Sequence, residues 1–146
     1  LIKVKKLYPD ATMPTQATAG SAGFDLYAYL PGDTKIKTIW PGECVKVGSG
    51  VSIQPPEGYF GAIYARSGLA TKQGLRPGNC VGVADVDYKG EYIVPLYNDS
   101  HRPQDIRHGD RIAQVVFQPY LVDEVVEVDE LDASERGAGG FGSTGV

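Results

Sequence analysis

The chain has 146 residues, 42% of them hydrophobic and 22% charged, with a formal net charge of −4 and a pI near 5.1. That length suits one domain whose core needs neither disulfide nor metal to hold it. The acidic balance argues against a nucleic-acid polymer as partner, because such binders carry a basic face. A small anionic ligand needs only a few local cations and stays open. Glycine (19) and proline (10) together stay below the ~25–30% typical of low-complexity chains, so a folded, turn-rich domain is expected.

Cys44 and Cys80 lie in no CxxC pair and His101 and His108 are the only histidines, which argues against a zinc site. Their apolar flanks predict buried, reduced thiols rather than a disulfide, and the two histidines are expected in exposed loops without a role. No run reaches the ~18 apolar residues of a helical membrane span. The start, LIKVKKLYPDA, lacks the apolar stretch of a signal peptide, so a cytoplasmic protein is expected. Asn98-Asp99-Ser100 fits a glycosylation sequon, read as coincidence without a secretion signal.

In chain order the predicted strands are 2–7, 24–29, 43–53, 59–65, 79–83, 92–97, 111–117 and 122–128. They are rich in Val, Ile and Tyr and are separated by PGD, PGE, PPEG, RPGN and HGD turns. Strands this short and close predict an all-β sandwich or barrel. SGLATKQG, 67–74, is the single predicted helix, with Ser67 as N-cap and Gly74 as C-terminal stop. Periodicity ends near DASERGAGG, dividing the chain into a β domain, 1–132, and a glycine-rich arm, 133–146.

Five stretches carry candidate chemistry. In AGSAGFDLYA, 19–28, Asp25 opens a strand after a glycine-rich turn; the plainer reading is a turn acid. Arg66-Ser67-Gly68 stands where strand meets helix, offering a charge, a hydroxyl and free backbone N–H groups to an anion, or else simply a cap and a surface arginine. In GVADVDYKGEY, 82–92, Asp85 and Asp87 share a face of an extended strand, and one could act as general base; a solvated loop pair is the alternative. Tyr88 would face the other way, so Asp85 and Tyr88 can touch one ligand only if the segment bends. In GDRIAQVVF, 109–117, Gln114 sits among apolar neighbours and must bond either backbone or ligand. The tail RGAGGFGSTGV, 136–146, matches G-x-G-x-x-G, but no helix or distal acid can follow it, which rules out a dinucleotide fingerprint. It is either a loose end or a flap in which Arg136 supplies charge, Phe141 a flat ring, and Ser143 and Thr144 hydroxyls.

AGSAGFDLYA, ARSGLA, GNCVGVADVDYKGEY, GDRIAQ and RGAGGFGSTG occur in that order with fitting gaps, and together they resemble the five motifs of the all-β dUTP diphosphatases (dUTPases) over nearly the whole chain. Ala65 stands where proline is common, and Ala84 where a larger aliphatic is common; neither change removes a functional group. The resemblance implies a jelly-roll-like barrel, a homotrimer with three shared active sites, and an arm that reaches over a neighbour's site. It implies hydrolysis of dUTP to dUMP and pyrophosphate with Mg²⁺, which keeps uracil out of DNA and supplies dUMP for dTMP synthesis. By motif match, Asp85 is the base that activates water for attack on the α-phosphorus, and Asp25 holds hydrated magnesium through water. Arg66, Ser67, Gly68 and Gln114 match the triphosphate contacts. Asn79 and the hairpin after it, with Val83 and Ala84, match the uracil clamp, and Tyr88 the ring under the deoxyribose. Arg136 matches the γ-phosphate contact, Phe141 the cover on uracil, and Gly142, Ser143 and Thr144 the rest of the arm's contacts. A dCTP deaminase shares this fold and is one alternative; a nucleotide-gated protein-binding regulator is another.

Overall fold

The structure is a computed structural model that describes residues 1–140. Its strands are β1 (Lys3–Lys6), β2 (Phe24–Tyr27), β3 (Ile36–Ile39), β4 (Cys44–Gly48), β5 (Val51–Gln54), β6 (Tyr59–Tyr64), β7 (Leu75–Pro77), β8 (Gly82–Ala84), β9 (Ile93–Asn98), β10 (Gln104–Arg107) and β11 (Arg111–Pro119), with one helix, α1 (Ser67–Gln73). All pairings are antiparallel: β2-β11-β6-β8, β4-β9-β7, β1-β5 and β10-β3. The result is a jelly-roll-like all-β fold, as the sequence predicts.

Side-chain alternation explains the layers. Along β9, Val94, Leu96 and Asn98 are buried while Ile93 is exposed and Pro95 and Tyr97 are intermediate. β5 buries Val51 and Ile53 in the same way. These residues join Leu26, Ile39, Val47, Leu75, Ile106, Ile112 and Val115 in one contiguous core.

Several elements differ from the sequence reading. The span 43–53 divides at Ser49-Gly50, where Gly50 has φ +70° and the chain leaves one sheet for another. The span 79–83 shortens to β8, because 77–80 forms a turn closed by Cys80 N–H to Pro77 O. β3, β7 and β10 fall outside the predicted strands: LRP and QDIR lack a β-rich run, and IKTI, though rich in Ile and Thr, is only four residues long between the PGD and PGE turns. Residues 122–128 form no strand. Val122, Val125, Val126 and Val128 are exposed, since an alternating pattern has no ladder without a partner edge.

Helix α1 ends as predicted at Gly74, which adopts the left-handed conformation (φ 68°). Its start does not: Arg66 occupies the N-cap position without a side-chain cap, and Ser67 lies inside the first turn. Cys44 and Cys80 are free but exposed, not buried: Cys44 opens β4 at an outward position and Cys80 lies in the turn that follows β7. His108 is half-buried, with Leu30 N–H donating to its Nδ1 at 3.2 Å and the ring edge-on to Tyr29. Asn98 is fully buried and donates to Ile39 O and Arg102 O, so it cannot serve as a glycan acceptor. None of the described helices is long and apolar enough to cross a membrane.

Tyr92 is 1% exposed, and its hydroxyl has no partner among the described residues. Burial pushes its pKa up to about 12, from 10.0. A raised folded pKa means stability that is intact below pH 10 and lost as pH rises towards 12. Tyr29 is raised too, by desolvation and then by Asp10, and adds to the same slope. Tyr92→Phe is therefore expected to match or exceed wild-type stability at pH 7, since an unpaired buried hydroxyl costs about 1–3 kcal/mol. It should also flatten the alkaline loss. Urea titrations at pH 7, 10 and 11.5 check both; a clear destabilisation at pH 7 would show that the hydroxyl has a partner.

Candidate functional site

The four-stranded sheet positions the polar groups. In its register Gln114 on β11 lies opposite Asp25 on β2 and opposite Tyr64 on β6, so the three share one face. Arg66 follows Tyr64 by two residues and returns to that face. Asp25 is only 7% exposed. Arg66 Nε donates to its Oδ1 at 2.7 Å, and Arg111 stands 3.5 Å from its Oδ2. Gln114 Nε2 donates to Ala65 O at 2.9 Å, which answers the need of its amide for a partner and still leaves its oxygen facing Gly23.

These groups line a polar cleft of about 370 Å³, with Ser21, Asp25, Arg66, Ser67, Gly68 and Gln114 in its wall. The first turn of α1 leaves backbone N–H groups without intrahelical acceptors there. A second cleft, about 360 Å³, shares Arg66 and adds Lys72, Asp105, Asp110 and Arg111. Arg111 belongs to GDRIAQ but has no role in the sequence reading; it is three positions from Gln114, a spacing that puts the two on opposite faces of a regular strand.

Asp85 lies elsewhere. β8 pairs with β6 through Ala84 and Gly61, so Asp85 emerges beside Phe60, at the opposite end of β6 from Arg66. Six residues of strand separate those ends, about 20 Å at ~3.3 Å per residue. Asp85 is exposed in its own cleft, with Phe60, Val83, Asp87 and Tyr120. The segment bends as one shared ligand would require: Tyr88 N–H donates to Asp85 O at 3.2 Å, closing a turn. Tyr88 Oη donates to Glu91 O at 2.8 Å, which fixes the ring against Gly90. Asn79 lies against Gly82 across the start of the hairpin, Val83 is 64% exposed, and Ala84 is buried in the core. Arg136 is exposed and donates within its own turn, to Gly139 O at 2.9 Å. Phe141, Gly142, Ser143 and Thr144 lie outside the described residues. One chain thus brings Asp25, Arg66, Ser67, Gly68 and Gln114 together, and keeps Asp85 and Tyr88 apart from them.

The all-β fold thus carries a polar cleft with a paired arginine at one end of β6 and an exposed carboxylate hairpin at the other. The sequence profile of the dUTPase family matches residues 9–145, and the chain belongs to that family. It is 47% identical over 150 residues to the deoxyuridine 5'-triphosphate nucleotidohydrolase of Desulfitobacterium hafniense (strain DSM 10664 / DCB-2), covering 99% of this chain and 97% of that protein. With the same enzyme of Hydrogenobaculum sp. (strain Y04AAS1) it shares 46% identity over 143 residues, 98% of this chain and 96% of the other. Among solved structures it is similar to a Staphylococcus bacteriophage 80alpha dUTPase mutant with dUpNHpp, at TM-score 0.88 and 28% identity, covering 100% and 99% of the two chains.

Gly23 packs so closely that a Cβ there would lie within contact distance of Gln114 Oε1. Gly23→Ala should swing the Gln114 amide off Ala65 O and cost about 1–3 kcal/mol. Chemical denaturation, with the Gln114 side-chain amide followed by NMR, checks this; an unmoved amide resonance would refute it.

Proposed function

We propose that this enzyme hydrolyses dUTP to dUMP and pyrophosphate, as a homotrimer whose sites combine residues of different copies. The observation that carries the shared site is the separation along β6: groups about 20 Å apart in one chain cannot grip one nucleotide's α-phosphate and distal phosphates together. A neighbouring copy supplies the missing half. The exposed apolar residues Leu121, Val122, Val125 and Val126 after β11 support association, since they have no cover in a single chain.

Within a completed site Asp85, exposed and aimed from a strand end, takes the proton of a water that attacks the α-phosphorus, and pyrophosphate leaves. Arg66, Ser67, Gly68 and Gln114 hold the triphosphate by charge and oriented donors. The backbone of 79–84, including Asn79, Val83 and Ala84, reads the uracil edge, where a wrong base leaves a buried group unpaired. Tyr88 packs under the deoxyribose and disfavours a 2′-hydroxyl. The arm, 133–146, closes over a neighbour's nucleotide, with Arg136 on the γ-phosphate, Phe141 over the base, and Gly142, Ser143 and Thr144 on the phosphates.

Mg²⁺ suits this donor set in a particular way. Among the described residues no cluster of three or more ligating side chains exists. Asp25 is a single carboxylate whose two oxygens already face arginines, yet carboxylates have about four acceptor positions. That fits an ion carried by the phosphates and touched by Asp25 through water, not a protein cage. When bound, the ion neutralises phosphate charge. The protein's place in the cell is proposed to be the cytoplasm.

The test offers dUTP, dTTP, dCTP and UTP separately and measures pyrophosphate and ammonia. Pyrophosphate from dUTP alone is expected, lost in Asp85→Asn while a non-hydrolysable analogue still binds. Ammonia from dCTP would replace the proposal with a deaminase. Mixing Asp85→Asn with Arg66→Ala and letting subunits exchange should restore roughly a quarter of the sites, because complementary copies then meet at random. A mixture that stays inactive, with both variants folded and trimeric, would refute the shared site.

A further inference from the structure

Arg111 has no role in the mechanism above, yet the fold makes a specific effort to place it. β11 opposes β2 with Arg111 at Tyr27, Ala113 at Leu26 and Gln114 at Asp25, so Ile112 is an extra residue with no partner. This bulge restores the parity that a regular strand would break. Ile112 and Ala113 are both fully buried, and Arg111 returns to the face of Tyr27 and Asp25. Its guanidinium then stands 3.5 Å from Asp25 Oδ2, too long for a tight hydrogen bond but close enough for charge to act.

The charge count explains why that matters. Asp25 bonds Arg66 at 2.7 Å and on its own would cancel it. The other charges of the adjoining cleft, Lys72 against Asp105 and Asp110, sum to one negative charge. Arg111 is the cation that offsets Asp25 and leaves Arg66 with a net charge to present. We infer that Arg111 is a positioning residue that, from the adjoining cleft, offsets Asp25 and keeps the Asp25–Arg66–Arg111 group net positive, and so sets the affinity of the polar cleft for a polyphosphate chain. This rests on the proposal that the cleft holds phosphates.

The probe is inorganic tripolyphosphate, titrated calorimetrically into the full-length protein without divalent metal. Arg111→Gln should weaken binding on the order of tenfold, the effect of one charge a few ångströms away in a partly screened cleft. Arg111→Lys should keep most of the affinity. Asp25→Asn with Arg111→Gln restores the count and should bring binding back towards wild type, which a merely structural role for Arg111 would not do. In turnover, Arg111→Gln should raise KM for dUTP more than it lowers kcat. Wild-type affinity in Arg111→Gln, equal loss in Arg111→Lys, or no recovery in the double variant would each overturn the inference. If wild type and Arg111→Gln hydrolyse dUTP with the same KM, the inference fails while the function stands. If wild type binds tripolyphosphate as expected but hydrolyses no nucleotide, the function fails while the charge count stands. Should Arg111→Gln not fold, Arg111→Lys and the double variant carry the comparison.

Discussion

A carboxylate shut away from water must be matched by opposite charge, and Asp25 is the point on which this structure turns. It sits in β2, takes its main partner from the exit of β6, and its second from the start of β11. Those three strands are adjacent in one sheet. Pairing Asp25 therefore fixes the register of the sheet and the direction of Arg66 in one step. Removing both partners would leave a buried charge uncompensated, a far larger cost than the pairs' net worth. Gln114 reinforces the arrangement from the same row, tying β11 to the backbone of Ala65 beside Arg66.

β6 acts as a spacer. Its N-terminal end carries Phe60 beside the Asp85 turn, and its C-terminal end delivers Arg66. The core strands around it are locked by full burial of Leu26, Ala62 and Val115, so the two ends cannot approach one another by bending. A rigid spacer of this kind suits a site completed between copies. In the proposed assembly it would hold two half-sites at fixed separation, and the subunit contacts would set their relation more firmly than a flexible loop in one chain could.

Much of the fold was legible from alternation and turn residues. β1, β2, β6, β9 and β11 coincide with predicted spans, and Gly74 stops the helix where glycine was expected. What the sequence concealed were elements that exist only through pairing. QDIR becomes a strand because it lies against IKTI, Ile36 opposite Arg107, and does not announce this alone. The converse error fell at 122–128, where a strand-like pattern has no edge to pair with. In the site, the motifs pointed to Asp25, Arg66, Gln114 and Asp85 by resemblance. Spacing alone could not show that Asp25 and Arg66 are an ion pair, because forty-one positions separate them. Nor could it show Arg111, since the extra residue in β11 reverses the face that simple counting assigns.

The same local accounting resolves how a chain of net charge −4 can suit a ligand carrying several negative charges. Bulk charge acts over a Debye length of about 8 Å at physiological salt. Within that range of the polar cleft, what counts is which cations remain after their own acids are satisfied. Asp25 looks at first like a liability there, an anion built into an anion site. Buried and bracketed, it serves instead to orient Arg66, which bonds it through Nε while lining the cleft. The acid sets direction and the second arginine sets charge; Asp105 and Asp110 of the adjoining cleft are partly offset by Lys72, and acids beyond a Debye length are screened.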